Sequence, residues 1–126
     1  MFKNKSLNII ILSFTLLSFV EIKEYTCKAT WYDTSKHPKI NRKHSTAAVS
    51  NDLIKILSIK VGKKDGENIK NGSLLKITNI SNNKTDTVEV TDVCKAGPKR
   101  VDLSLKSFEK ISKKSVGIIN VKVKKI

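Results

Sequence analysis

Aspartate and histidine are the side chains through which this sequence could do acid–base chemistry, and Asp92 has the most telling setting. It closes the run Asp86-Thr87-Val88-Glu89-Val90-Thr91-Asp92-Val93. Strand side chains alternate faces, so the spacing predicts Asp92 on the apolar face shared by Val88 and Val90. A carboxyl partly buried there holds its proton closer to neutral pH and can act as a general acid. The plainer use is to accept hydrogen bonds from the following Lys95–Lys99 loop and hold its shape. Asp33 lies just past the first predicted strand. Two carboxylates facing one groove suit cleavage of a glycosidic bond, although a loop aspartate also serves as a turn cap. His37 and His44 fall in the polar segment that follows, where either could bind substrate, carry a proton or simply be solvated. Trp31 and Tyr32 are neighbours on a strand and face opposite sides. One can pack in the core while the other lines a groove and stacks on a sugar.

The elements that must hold these residues are mostly strands. Thr26 to Tyr32 is rich in β-formers, and Asp33 to Lys43, with Pro38, reads as a loop. Ser45 to Val49 is short and apolar. Ile54 to Val61 alternates and predicts a further strand, followed by a charged, turn-rich stretch from Gly62 to Gly72. Leu74–Ile80 and Asp86–Val93 flank Ser81-Asn82-Asn83-Lys84, which predicts a hairpin. Ser104 is placed to cap a short helix in which Leu105, Phe108 and Ile111 recur at helical spacing. Val116 to Ile126 alternates again. The pattern is all-β with one short helix, a small barrel or sandwich.

The N-terminus has a different character. Lys3 and Lys5 precede an apolar run from Leu7 to Val20 that carries no charge. It is as long as a signal-peptide core and shorter than a membrane-spanning helix. Residues 1–20 are therefore expected to be a signal peptide or N-terminal anchor, and 25–126 the exported domain. Export places the protein in the periplasm, cell envelope or extracellular space. The chain carries 25 Lys plus Arg against 11 Asp plus Glu. That excess attracts polyanions, and export argues against nucleic acid among them. Membrane contact is expected only if the N-terminal segment stays uncleaved. Cys27 and Cys94 both fall in the exported part, where an oxidising compartment favours a disulfide that would stabilise the fold by roughly 4 kcal/mol. Their spacing offers no metal site, and nothing indicates a cofactor or an oligomer interface, so the domain is expected to be a monomer.

Several short motifs occur together in order: Ala29-Thr30-Trp31-Tyr32, Ser45-Thr46-Ala47-Ala48, Gly72-Ser73-Leu74-Leu75-Lys76-Ile77-Thr78-Asn79, Val90-Thr91-Asp92, Gly97-Pro98 and Val101-Asp102-Leu103-Ser104. From about Thr26 to Val123 they resemble the rare lipoprotein A (RlpA)-like domains. The stretch from Val90 to Cys94, with Asp102 to Phe108, also resembles expansin and family 45 endoglucanase barrels. The resemblance implies a six-stranded double-psi β-barrel and a cell-wall glycan, peptidoglycan or a similar polysaccharide, as partner. It implies Asp92 as the general acid of a lytic transglycosylase; the residues' own settings offer Asp33 or a loop histidine such as His44 to assist, and Trp31, Tyr32 and His37 to bind substrate. Asp102 and Ser104 would anchor the barrel crossover and helix start. Val49 stands where catalytic members carry a histidine, and the segment from Ala48 to Gly72 is longer than the family's usual connection. Those departures support a second expectation of equal weight, a non-catalytic expansin-like wall-binding or wall-loosening module. A secreted cationic effector or inhibitor is the third.

Overall fold

The computed structural model describes residues 24–36, 44–66 and 68–126. The N-terminal segment and His37 lie outside the described residues. Among the described residues eight strands follow in chain order: β1 (Glu24–Tyr32), β2 (Thr46–Ser50), β3 (Lys63–Asp65), β4 (Asn68–Lys70), β5 (Leu74–Asn79), β6 (Thr85–Cys94), β7 (Arg100–Ser104) and β8 (Ile119–Lys125). Six of them close into a barrel in the order β1-β7-β2-β6-β5-β8. β1 runs parallel to β7 and β2 parallel to β6, while the other four pairings are antiparallel. β3 and β4 form a separate small hairpin within the charged Gly62–Gly72 stretch.

Alternation builds the interior. Ala29, Val49, Ile77, Val88, Leu103 and Val121, one from each barrel strand, are fully buried, and each Val, Ile or Leu among them contributes about 1.5–3 kcal/mol relative to exposure. The predicted helix forms as α2 (Leu105–Ile111) and buries Phe108 and Ile111. The Ser104 hydroxyl accepts from Ser107 N at its first turn, 3.4 Å, and from Thr46 N, 3.1 Å. One serine thus caps α2 and satisfies the amide that opens β2.

Three expectations are corrected. The alternating Ile54–Val61 segment is not a strand. It begins inside a helix, α1 (Asn51–Ile56), so the domain has two short α-helices among the described residues. Leu53 and Leu57, four residues apart, are both buried, and Leu57 N donates to Leu53 O at 2.9 Å. That helical spacing outweighed the period of two, and Asp52 in the first turn and Lys55 in the last suit the helix dipole.

The second correction concerns Asp92. Ala47 lies opposite Val90 but Ala48 lies opposite Asp92, so Thr91 is the extra residue of a β-bulge. The bulge reverses the alternation: Thr91 is buried behind Val90, and Asp92 is exposed instead of sharing the apolar face. The third concerns the cysteines, which are free thiols. Cys27 is buried on β1, whereas Cys94 ends β6. β1 and β6 stand three places apart in the ring whichever way it is followed.

Candidate functional site

The bulge that turns Asp92 outward also sets it in a row of outward-facing residues. Across the outer surface of the barrel, Asp92 on β6, Ala48 on β2, Asp102 on β7 and Thr30 on β1 lie opposite one another in a single row. Two interstrand spacings separate the backbones of Asp92 and Asp102, about 10 Å. Between them stands only the methyl group of Ala48. The result is a cleft of ≈ 490 Å³ with these three residues, Tyr32 and the segment Val93–Ala96 on its walls.

Three of the polar wall residues are held. Asp102 Oδ1 accepts from the Thr30 hydroxyl at 2.9 Å, and Asp92 Oδ1 accepts from the Val93 amide at 2.7 Å. The Tyr32 hydroxyl meets Thr46 Oγ1 at 2.6 Å. Burial pushes the Tyr32 phenol above its ordinary acidity range. The bond to Thr46 works against that shift, and the negative charges of Asp102 and Asp92 add to it. Chemically, the cleft offers two hydrogen-bond-accepting carboxylates on either side of a small floor, one aromatic wall and one ammonium, Lys95.

The other predicted site residues are distributed elsewhere. Trp31 packs against the core, donates from Nε1 to Lys114 O at 3.2 Å, and carries the Lys114 ammonium 5.0 Å above its ring. Of the aromatic pair, Tyr32 is the one in the cleft. Asp33 accepts from Ser35 N at 2.9 Å as the cap of a 3-10 turn, Thr34–Lys36. It lines a second depression with Leu105, Lys106, Glu109 and Lys110, so it does not share a groove with Asp92. His44 Nε2 lies 3.0 Å from Glu89 Oε1, and the other Glu89 oxygen accepts from Gly72 N. His44 is not among the cleft-lining residues. Val49 is fully buried in the barrel. Among the described residues no group of three or more His, Cys, Asp or Glu is placed to hold a metal ion.

Asp52 is the residue that sequence reasoning passed over. Its two carboxylate oxygens accept from the Lys99 amide at 3.1 and 2.9 Å, and Ser50 Oγ accepts from the Arg100 amide at 3.1 Å. The start of α1 thus pins the end of the loop whose first residues form the cleft wall. That shaping role was one reading of Asp92, and Asp52 performs it. A hydrogen bond with Ser50 chiefly, and the backbone bond from Lys99, hold the Asp52 carboxyl below the usual carboxylate range. The signal available in the sequence was a serine and an aspartate two apart at a helix start, hidden because the helix itself was read as a strand.

No known family profile matches the sequence, and no curated protein matches it. Solved structures do. A mutant expansin of Clavibacter michiganensis in complex with cellohexaose superposes with a TM-score of 0.62 at 18% identity, over 82% of this chain and 50% of that one. The chain therefore spans about half the length of that expansin. The Streptomyces papain inhibitor matches with a TM-score of 0.58 at 16% identity, over 85% of this chain and 98% of the inhibitor. A rationally designed double-psi barrel protein matches over its full length with a TM-score of 0.53 at 14% identity. The fold is a double-psi β-barrel. It is similar to the barrel of expansin, and identities this low establish the fold alone.

Proposed function

We propose that this chain is an exported double-psi barrel that binds a cell-wall glycan strand in the Tyr32–Asp92–Asp102 cleft without cutting it. The observation that carries this reading is the row Asp92–Ala48–Asp102. Two carboxylates flank a floor left open by a methyl group, beside an aromatic wall, on a barrel similar to that of a protein seen with cellohexaose. Sugar hydroxyls donate to carboxylates, and the apolar face of a pyranose packs on a phenol ring. Of the residues expected to assist Asp92 in acid–base cleavage, His44 is engaged with Glu89 and Asp33 caps a turn in another depression.

The test is sedimentation of the full chain with insoluble cellulose and with peptidoglycan, followed by mass spectrometry of the supernatant. The expected result is retention on the glycan, no released fragments, and a loss of roughly tenfold or more in affinity for Ala48→Leu, which fills the cleft floor from the outside of the barrel. Anhydro-sugar fragments that vanish in Asp92→Asn would replace binding by transglycosylase chemistry. Failure of the native protein to sediment with either polymer would overturn the proposal.

A second reading, a secreted protease inhibitor, draws on the match that spans 98% of the papain inhibitor. Inhibition of papain at stoichiometric concentration, unchanged by Ala48→Leu, would move the assignment there.

A further inference from the structure

The outer surface of β5, β8 and β1 has a composition unlike that of the cleft. Lys76 lies opposite Lys124, which lies opposite Glu24; the next row is Thr78, Lys122 and Thr26; the next holds Asn120 and Lys28. Four lysines and one carboxylate thus share a continuous sheet surface. Among the described residues, none of the four ammonium groups has a hydrogen-bond or ion-pair partner. Like charges directly opposite on neighbouring strands destabilise a sheet, so the Lys76–Lys124 pair is a cost, set against one opposed carboxylate, Glu24.

The same surface is bounded by apolar side chains at both ends. At one, Ile126 donates its amide to Leu74 O at 3.0 Å, which sets two exposed side chains together, 66% and 48% accessible. At the other, Ile80 donates to Asn120 O at 3.1 Å, and Ile118 precedes Asn120 by two positions; they are 40% and 53% accessible. Ammonium groups between exposed aliphatic side chains match the layering of an anionic lipid surface, with phosphates outside and acyl chains beneath. No aromatic side chain stands in these rows to stack on a nucleic-acid base. A second copy of the chain would set lysine against lysine. The chain itself enters the barrel here: only Glu21, Ile22 and Lys23 separate the apolar run ending at Val20 from Glu24.

We infer that the β5–β8–β1 surface is a docking face for anionic lipid membrane, carried by Lys28, Lys76, Lys122 and Lys124. β5 and β8 stand two or three places in the ring from β2 and β7, which carry the cleft floor, whereas β1, which carries Lys28, is the direct neighbour of β7.

The experiment compares partitioning of the full chain onto neutral phosphatidylcholine vesicles and onto vesicles with about one-third phosphatidylglycerol. The neutral vesicles give the contribution of the N-terminal apolar run. The expected result is a gain of roughly tenfold or more on the anionic vesicles. That gain should be lost in the quadruple Lys28→Ser, Lys76→Ser, Lys122→Ser, Lys124→Ser variant, with neutral-vesicle partitioning unchanged. A variant of equal net charge, Lys55→Ser, Lys60→Ser, Lys63→Ser, Lys113→Ser, should keep the gain. Equal loss in both variants would show a response to net charge alone and overturn the assignment. So would no gain on anionic vesicles, including the case where the four lysines instead govern binding to soluble polyphosphate. Glycan sedimentation of the quadruple variant should be unaffected, which keeps failure here distinct from failure of the cleft proposal.

Discussion

Cys27 and Tyr32 are two side chains whose acid dissociation the barrel resists. Burial pushes the Cys27 thiol from 9.0 up to about 12, and the negative charge of Asp52 adds to the shift. Burial moves the Tyr32 phenol in the same direction. In both cases the folded chain keeps a proton that the unfolded chain would release. The associated stability is therefore complete below about pH 9 and is lost as pH rises toward 12. For Cys27 alone the span corresponds to roughly 4 kcal/mol. Urea unfolding followed from about pH 8 to about pH 11 should show a steep fall in stability, and Cys27→Ala should flatten it despite a small cavity cost near neutrality. An unchanged slope would place the alkaline sensitivity in other groups. A thiol reagent supplies a second check: in the native protein Cys94, partly exposed at the cleft, should react promptly, and Cys27 only after unfolding. A chain with no titratable thiol until a reductant is added would restore the disulfide.

Element by element, legibility depended on whether local pattern and tertiary contact agreed. The hairpin of β5 and β6 was readable because both strands alternate around an Asn-Asn turn, and Asn83 does adopt the left-handed conformation such a turn requires, φ 60. The cap of α2 was readable because Ser104 and the apolar spacing behind it point the same way. α1 was not, since Ile54–Ile56 and Leu57–Ile59 each repeat at a spacing of two, which masks the helical Leu53–Leu57 pair although the phase slips between Ile56 and Leu57. The bulge at Thr91 has no signature in residue type at all, and it alone decides which way Asp92 faces. Gly72 is the opposite case, a glycine whose reason becomes visible only in three dimensions: a Cβ there would run into the Val90 carbonyl oxygen. Gly72→Ala should therefore destabilise the domain by about 1–3 kcal/mol, read as a lowered urea midpoint. Asp52→Ala should act locally. Protection of the Lys99 amide from hydrogen exchange should fall sharply while amides of β5 and β6 keep theirs, and glycan affinity should drop several-fold because the cleft wall is no longer pinned. Loss of protection throughout the barrel would instead make Asp52 a determinant of global stability.

At the scale of the molecule, charge is unevenly used. The chain carries a formal net charge of +14, yet its cleft is walled by Asp92 and Asp102, with Lys95 as the cation among the lining residues. The unpaired lysines Lys76, Lys122 and Lys124 project from β5 and β8, away from the cleft floor on β2 and β7. Composition alone could report only the sum, which is why the sequence pointed to polyanions in general and could not separate a binding cleft from an attractive surface. The separation makes salt a diagnostic variable. Hydrogen bonds and ring packing to an uncharged glycan involve no counterion release, whereas contacts of exposed lysines with an acidic surface are screened over about 10 Å at 0.1 M salt and over about 3 Å at 1 M. Retention on cellulose should therefore change by less than about twofold between low and high salt, and retention on anionic surfaces should fall roughly tenfold or more. Ala48→Leu should remove the first component and leave the second; the four-lysine variant should do the reverse. Cellulose retention that collapses with salt in the native protein would mean that the lysines, and not the Asp92–Ala48–Asp102 row, hold the glycan.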